Sequence, residues 1–549
     1  MSATLIARDL RVTRGRAVIL DGVDVQLAPG HRVGIVGPNG VGKTTLLGTL
    51  AGMVAAERGT VATMPPSANI GLLAQERERR PGELAVDFIA RRTGVASASG
   101  ELDAATAGLA SGQPGSDDRY SDALERWLNL GGADLDTRTG EVVALLGIDP
   151  AVLDRPTTVL SGGEVARVSL AALLLSQFDI YLLDEPTNDV DLDGLVILEQ
   201  WITGLAAPTA LVSHDRSFLE RTVTDVLELD EFTHRATWFA GGWTAYGEER
   251  ERIHRQAWER FDDFDTKRST LVGRAQRERE WATQGASKAK KKPSDNDKNI
   301  KAFKINQTEQ LAGRAARTEK AMERLEVVEK PRQAWQLRLE IPMRERGGSV
   351  VGRLSGAVVS KGDFRLGPID LEVGFGERIA IAGANGSGKT TLLHALLGRA
   401  PLEAGSRWMG PGVVVGEIEQ ARLRLATDRT VLDEFMAATG LTIPDARTLL
   451  AKFGLVGDHV VRPAPSLSPG ERTRATLALL MAQGANCLVL DEPTNHLDLP
   501  AIEQLEQALE TFVGTVILVT HDRSLLRNVR LTRRLELARG QLVADTPHA

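Results

Sequence analysis

The sequence predicts an α/β fold made twice over, two domains of like design joined by a long helical hairpin, and three observations predict it. Four short motifs each occur twice, in the same order, along the 549 residues. Each set opens with short apolar stretches suited to strands, then a glycine-rich loop, then alternating helical and strand signals, which is the pattern of an α/β domain. The stretch between the sets carries none of the four motifs and reads as two long helices around a basic break.

The spacing of the motifs defines the halves. LSGGE at Leu160 recurs as LSPGE at Leu467, LLDEPTNDVD around Asp184 as VLDEPTNHLD around Asp491, and LVSHDRS around His214 as LVTHDRS around His521, each 307 positions apart. The glycine-rich loops are 346 apart, from Lys43 to Lys389, so the first half carries 39 additional residues. Asp87 and Gly94 match Asp433 and Gly440 at the longer offset, and Gly147 matches Gly454 at the shorter. The insertion therefore lies at about 95–134, where small residues give way to a short helix over Tyr120–Leu130 and form an arm or a surface loop. Expected boundaries are 1–244 for the first domain, 245–346 for the linker and 347–549 for the second domain.

Composition narrows the class. Hydrophobic content of 42% and charge of 25% are ordinary for a globular protein. No apolar run is long enough to span a bilayer, so no transmembrane helix and no fused membrane domain are expected. The first residues, MSATLIARDLRVTRG, lack the order of a signal peptide, and a cytoplasmic protein is expected. Cys487 is the one cysteine and sits in an apolar run, which excludes intrachain disulfides and reads as a buried thiol. The net charge of −7 hides an asymmetry: from Arg250 to Glu340 there are 13 Arg and 10 Lys against 15 acidic residues, so the middle is basic and the rest acidic.

That middle block has helical periodicity. Ile253, Ala257, Phe261, Phe264, Leu271 and Ala275 mark an apolar stripe on a first helix, and Leu311, Ala315, Thr318, Met322 and Leu325 a seam on a second. Between them lies TQGASKAKKKPSDNDKNIKAFK, where Gly285 and Pro293 oppose helix and Lys288, Lys290, Lys291 and Lys292 cluster positive charge. A helix of about 30 residues reaches about 45 Å, far enough to carry a basic tip away from both domains. Lysines so placed suit phosphate contacts with RNA.

The paired motifs carry the chemistry of ATP hydrolysis. GPNGVGKTT (Gly37, Pro38, Asn39, Gly40, Val41, Gly42, Lys43, Thr44, Thr45) and GANGSGKTT (Gly383, Ala384, Asn385, Gly386, Ser387, Gly388, Lys389, Thr390, Thr391) both fit a phosphate loop. Glycines let backbone N–H groups face the phosphates, and the following helix N-terminus favours negative charge. Lys43 and Lys389 neutralise β- and γ-phosphate charge, and the Thr44 and Thr390 hydroxyls face Mg²⁺. Asp184 and Asp491 end apolar runs, as strands that deliver a carboxylate to the metal do. Glu185 and Glu492 follow at once and are expected to be the catalytic bases. His214 and His521 also follow strand-like runs, where an imidazole can hold the attacking water in line. Gln75 and Gln420, each after an apolar stretch, are expected to join the metal shell or the water.

With those motifs the chain resembles the ABC-F subfamily of the ATP-binding cassette superfamily: LSGGE is the superfamily signature, and DEPTN(H/D)xD followed by HDRS the subfamily pattern. The resemblance covers nearly the whole chain. It implies a monomer whose two domains face each other head to tail within the chain, each ATP lying between one phosphate loop and the other domain's signature. Ser161, Gly163 and Glu164 would then complete the site around Lys389, and Ser468, Gly470 and Glu471 the site around Lys43. Two departures stand out. Pro469 replaces a signature glycine, and Arg14 and Lys361 stand where an aromatic residue usually stacks on adenine, with Phe364 a substitute in the second half. The resemblance further implies a factor that acts on the ribosome, its linker reaching towards tRNA and rRNA. Within that class antibiotic resistance by ribosome protection is the favoured expectation and a housekeeping translation role the alternative. A third reading is the ATPase subunit of a transporter that recruits separate membrane subunits, which needs no long basic linker.

Overall fold

A computed structural model describes residues 3–73, 80–188, 190–290, 348–362, 364–425, 427–467, 469–495 and 497–547, with Lys320, Arg324, Val328 and Lys330. For 278–290, 419, 420, 423, 469 and 470 the description is of the backbone alone. The first half runs β1 (Thr4–Arg14), β2 (Ala17–Leu27), β3 (Arg32–Val36), α1 (Lys43–Leu50), β4 (Arg58–Met64), β5 (Ile70–Leu73), α2 (Ala85–Arg92), α3 (Val95–Ala110), α4 (Ser116–Asn129) and α5 (Leu135–Leu145). It continues with α6 (Gly162–Leu175), β6 (Ile180–Asp184), α7 (Leu192–Gly204), β7 (Thr209–Val212), α8 (Arg216–Thr222), β8 (Asp225–Leu229) and β9 (Ala236–Ala240). Helix α9 (Trp243–Lys290) follows in the chain.

The second half repeats the plan. It comprises β10 (Val350–Lys361), β11 (Phe364–Gly374), β12 (Arg378–Ala382), α10 (Lys389–Leu397), β13 (Ala404–Met409), β14 (Val415–Glu417), α11 (Ile418–Arg424), α12 (Val431–Thr439) and α13 (Ile443–Lys452). Then follow α14 (Pro469–Ala482), β15 (Cys487–Asp491), α15 (Leu499–Thr511), β16 (Thr515–Val519), α16 (Arg523–Asn528), β17 (Arg533–Ala538) and β18 (Gln541–Pro547).

Each half holds a six-stranded sheet, ordered β5-β6-β7-β3-β8-β9 in the first and β14-β15-β16-β12-β17-β18 in the second, with a three-stranded antiparallel sheet beside it. Only the last strand of each larger sheet runs antiparallel. The central strands RVGIV, IYLLD and TALV are almost continuously apolar because both faces are covered, as parallel strands require. Ile35, Leu182 and Ala210 are fully buried there. In such sheets ligands sit beyond the carboxyl ends of the strands. That edge carries the phosphate loop after β3, Asp184 at the end of β6 and His214 after β7. Cys487 begins β15, buried, with burial pushing its thiol up to about 12.

The additional residues of the first half are two helices. In the second half α12 is followed directly by α13, whereas α3 and α4 intervene between α2 and α5. The sequence predicts only the second of these; the small-residue run VASASGELDAATAGLA is helical as well. Six alanines explain it, since alanine is the best helix former and outweighs the two glycines. The pair is held by Trp127 Nε1 donating to Ser99 Oγ at 2.9 Å and by an Arg126–Glu101 ion pair at 3.0 Å.

Residues Ala245–Ala334 form a compact unit of their own. Within it α9 extends beyond the expected break, through Gly285 to Lys290, so Lys288 and Lys290 belong to its last turn. One helical glycine costs only about 1 kcal/mol, and the alanines and lysines that follow compensate. Lys291, Lys292, Pro293 and most of the predicted second helix lie outside the described residues. The stripe on α9 also needs correcting. Ile253 is 47% exposed, while Trp258 belongs to a ladder of rings, His254–Trp258–Phe261–Phe264, with centroids 6.0–6.4 Å apart. Lys330 Nζ lies 5.9 Å above the Trp258 ring.

The two halves otherwise form one unit, and their mutual contacts repeat at the 307 offset. Ser217 Oγ meets Ser524 Oγ at 2.8 Å, a position touching its own counterpart. Arg216 pairs with Glu506, and Arg523 Nη1 with Glu199 Oε1 at 2.7 Å. These four ionic side chains are at most 19% exposed.

Candidate active sites

The phosphate loops join a strand to a helix, β3 to α1 and β12 to α10. Gly42 (φ 114°) and Gly388 (φ 106°) are the residues just before the helices, in a conformation L side chains avoid. A methyl at Gly42 would lie 2.7 Å from Ile19 Cγ2, and one at Gly388 2.8 Å from Phe364 Cζ. Ile19 and the Phe364 ring therefore back the two loops. Lys43 Nζ donates to Gly37 O at 2.8 Å and Pro38 O at 3.1 Å, and Lys389 Nζ to Gly383 O at 2.7 Å and Ala384 O at 3.2 Å. Burial lowers both ammonium pKa values, and the carboxylates around them oppose the shift.

Thr44 and Asp184 come together at the edge of the first sheet, as do Thr390 and Asp491 at that of the second. Thr44 hydrogen-bonds the Asp184 carboxylate, and Thr390 Oγ1 donates to Asp491 Oδ2 at 2.7 Å. Burial pushes the Asp184 carboxyl up, and its Oδ2 is buried without a hydrogen-bond partner among the described residues. A cation fits such an atom. Among the described residues no group of three or more His, Cys, Asp or Glu could hold a metal alone. Mg²⁺ in general takes one or two protein groups and completes its shell with phosphate and water.

Glu185 and Glu492 follow their strands with φ of 51° and 44°. Left-handed backbone at a non-glycine residue costs about 1–3 kcal/mol and persists where the surroundings enforce it. Here Glu185 N still donates to Val212 O at 2.9 Å and Glu492 N to Val519 O at 2.8 Å, so the last ladder bond is kept while the chain turns. The turn aims each carboxylate at a histidine: His214 Nε2 is 3.1 Å from Glu185 Oε1, and His521 Nε2 is 3.4 Å from Glu492 Oε1. Burial pushes Glu185 up to about 7, against the pull of Lys43. Burial first, and then Lys43, brings His214 down to about 3; the same causes, with Lys389, bring His521 to about 4. Burial thus disfavours the protonated form of both imidazoles, and His214 Nε2 and Glu185 Oε1 face each other at 3.1 Å.

Each site draws on both halves. A cavity of about 350 Å³ joins Arg14, Ile19, Lys43, Thr44, Asp184, Glu185 and His214 to Thr494 and Leu497 of the second half. Another, of about 340 Å³, joins Asn385, Gly386, Glu492 and His521 to Gly162, Gly163, Glu185 and His214 of the first. A methyl at Gly163 would stand 3.0 Å from Asn385 Cβ, so the first signature lies directly on the second phosphate loop. Glu164, by contrast, turns back. Its Oε2 accepts from Ser161 N at 2.7 Å, Ser161 Oγ accepts from Glu164 N at 3.3 Å, and its Oε1 binds Arg155 at 2.9 Å. Ser161 and Glu164 thus form a capping box on α6 and hold the signature from behind. Glu471 likewise turns to Arg462 and His459, at 3.1 and 2.7 Å. Gly470 follows Pro469 at the start of α14. Ser468, Gln75, Asp189 and His496 lie outside the described residues. Gln420 is in α11, one element past β14, with its side chain undescribed. Arg14 is exposed on the rim of the first cavity.

Sequence reasoning missed the carboxylates that bridge the halves. Asp191 Oδ2 accepts from Asn385 N at 3.0 Å, and Asp498 Oδ2 from Asn39 N at 3.0 Å. Each also caps its own helix, through Gly194 N at 3.0 Å and Ala501 N at 3.1 Å. The signal was present: both close the repeated DEPTN segment, and aspartate before an apolar helix is an N-cap.

Comparison with known proteins agrees with this geometry. The family model described as ABC transporter matches residues 20–188 and 366–495. Over 532 residues the chain is 32% identical to the energy-dependent translational throttle protein EttA of Mycobacterium tuberculosis, covering 94% of this chain and 88% of that one. It is 30% identical to ABC transporter F family member 5 of Arabidopsis thaliana, with 99% and 76% covered. To the tylosin resistance ATP-binding protein TlrC of Streptomyces fradiae it is 33% identical, covering 95% of each. Among solved structures the RNase-L Inhibitor shares the fold, with a TM-score of 0.56 and 20% identity over 98% of this chain and 90% of that one. ATP hydrolysis is the general activity of such domains, and this chain belongs to the ABC-F family of ATP-binding cassette proteins.

Proposed function

We propose that the chain hydrolyses ATP at two composite sites and uses the resulting closure and opening to act on the ribosome, protecting it from an antibiotic. In the first site Lys43 and the loop N–H groups hold the phosphates, while Thr44 and Asp184 hold Mg²⁺. The metal, when bound, neutralises charge that develops on the phosphate oxygens. Glu185 accepts the proton of the attacking water, and His214, whose Nε2 lies 3.1 Å from Glu185 Oε1, keeps that carboxylate in line. Lys389, Thr390, Asp491 and Glu492 take the same parts in the second site, where His521 Nε2 is held by Lys389 Nζ at 3.1 Å. Gly163 against Asn385 carries the composite reading: a signature lying on the opposite loop makes ATP the mortar between halves.

The partner is inferred from charge. No helix among the described residues is long and apolar enough to cross a membrane, and a transporter subunit would have no need of the long basic linker. The basic stretch around Lys288, Lys290, Lys291 and Lys292 suits RNA phosphate. The α3–α4 pair, with six acidic and two basic residues, does not, so RNA contact falls to the linker. Similarity to the tylosin resistance protein over 95% of both chains supports protection. Similarity to the translational throttle protein supports the second reading, a general translation factor.

Two measurements test this. The Glu185→Gln/Glu492→Gln chain should co-sediment with ribosomes when ATP is present; recovery with membranes would reverse the assignment. Expression in a drug-sensitive host should raise the inhibitory concentration of at least one ribosome-targeting antibiotic, and removal of 285–305 should abolish the rise. No change for any drug moves the role to general translation.

A further inference from the structure

Each half lends the other a helix that touches the opposite site at two points. Helix α15 begins at Asp498, whose carboxylate holds Asn39 N in the first phosphate loop. Two turns on, Glu506 of the same helix takes the guanidinium of Arg216, which stands two residues after His214. The arrangement is reciprocal. Helix α7 begins at Asp191 on Asn385 N of the second loop, and its Glu199 takes Arg523, two residues after His521. Arg523 also donates to Leu192 O at 3.3 Å.

The chain preceding each helix is the base-bearing segment of its own site. Glu492 is six residues before Asp498, and Glu185 six before Asp191. So α15 is tied at one end to the base of the second site and along its length to both the phosphate loop and the histidine segment of the first. An α-helix does not stretch. A shift of the His214 segment relative to its phosphate loop must move α15, and with it the segment that carries Glu492.

We propose that Arg216 and Arg523 are positioning residues that make the two sites turn over together, each binding the histidine segment of one site to the helix that leaves the base of the other. This deepens the two-site reading above and rests on it. The ion pairs suit the task because they are largely buried and therefore weakly screened, and because a guanidinium fork fixes direction as well as distance. Glu199 also accepts from Arg221 at 3.2 Å and Glu506 from Asn528 Nδ2 at 3.1 Å, so each glutamate is held from its own half and pulled from the other. Ser217 and Ser524, next to the two arginines, mark the axis about which the pairs are exchanged.

The test measures ATPase rate against ATP concentration for the full chain, Arg216→Glu, Glu506→Arg and the swapped pair R216E/E506R, with Arg523→Gln reporting the reciprocal contact. The native Hill coefficient should approach about 2, the limit for two sites. Each single reversal should bring it to about 1 and lower kcat about fivefold or more, with cooperative melting retained. The swapped pair should restore the coefficient. A native coefficient of 1, or a swapped pair that regains the melting temperature but not the coefficient, overturns the proposal. Where a reversal does not fold, Arg216→Lys keeps the charge without the fork and should give an intermediate coefficient; a native value overturns the proposal. Failure of the two-site reading shows elsewhere, as full turnover in Glu185→Gln/Glu492→Gln, since coupling is read with both glutamates in place.

Discussion

The first half sets Glu185 against His214 at 3.1 Å while Lys43 rests on the carbonyls of its own loop. In the second half Lys389 also reaches His521 Nε2 at 3.1 Å, and the histidine stands 3.4 Å from Glu492. An ammonium can only donate, so His521 Nε2 accepts there and has no proton left for Glu492. The same three side chains thus make different hydrogen bonds in the two halves. The surroundings differ too: Arg14 on the rim of one cavity, Phe364 behind the other loop, and α3–α4 on the first half alone. Shared chemistry with unlike settings predicts two sites that need each other but do not respond alike.

The largest effect that can break this comparison is loss of both glutamates proposed as bases. Glu185→Gln/Glu492→Gln should lower steady-state phosphate release by about 100-fold or more. Either single substitution should leave well under half the native rate, and a clean half would mean two independent sites. Next, Gly163→Leu forces a side chain against Asn385 and should lower kcat/KM about tenfold, measured in the Glu185→Gln background where only the second site turns over.

The third test uses pH. With Glu492→Gln silencing the second site, turnover at the first should fall about tenfold per pH unit below about 7 and level off above about 8, because Glu185 must be ionised to act. A profile flat to pH 5.5 would remove Glu185 from that role. The same burial has a stability consequence. Since the folded carboxyl titrates above its ordinary value of 4.5, its contribution is present below that value and lost as pH rises through about 7. Glu185→Gln, which never ionises, should therefore be more stable than the native chain at pH 8, by on the order of 3 kcal/mol, and no more stable at pH 4.5.

Smaller effects sharpen the contrast in base contacts. Arg14→Ala should raise the first site's KM for ATP about threefold, the worth of one exposed guanidinium on a base. Phe364→Ala should raise the second site's KM further, because it also strips Gly388 of its packing. Smallest of all, replacing 95–129 by a short link should leave ATPase activity within about twofold, since α3 and α4 supply no residue to either cavity. A larger loss would place that pair in the catalytic cycle.

Much of this was legible beforehand, because catalytic residues sit in short segments whose order and spacing are fixed by the chemistry. Lys43, Thr44, Asp184, Glu185 and His214 meet in space because they end or follow adjacent parallel strands. Long-range pairings had no such signature. Nothing near Glu506 marks it as the partner of Arg216, 290 positions away, and Glu164 reads as part of the ATP site until its own capping box is seen. Local propensity misled in two places for one reason: glycine and small residues were read as breaks at 95–110 and at Gly285, where neighbouring alanines and lysines sustain a helix.

The Ser217–Ser524 contact has a consequence for how such a chain can change. Position n touching position n+307 is what a symmetric homodimer makes with itself, where one side chain must suit its own copy. Joining the copies in one chain turns a concentration-dependent association into an internal one. Off-axis positions such as Arg14 and Phe364 are then free to part company. On the axis each substitution still faces its twin, so the serine pair, packed at 2.8 Å, is where a change in one half demands an answer in the other.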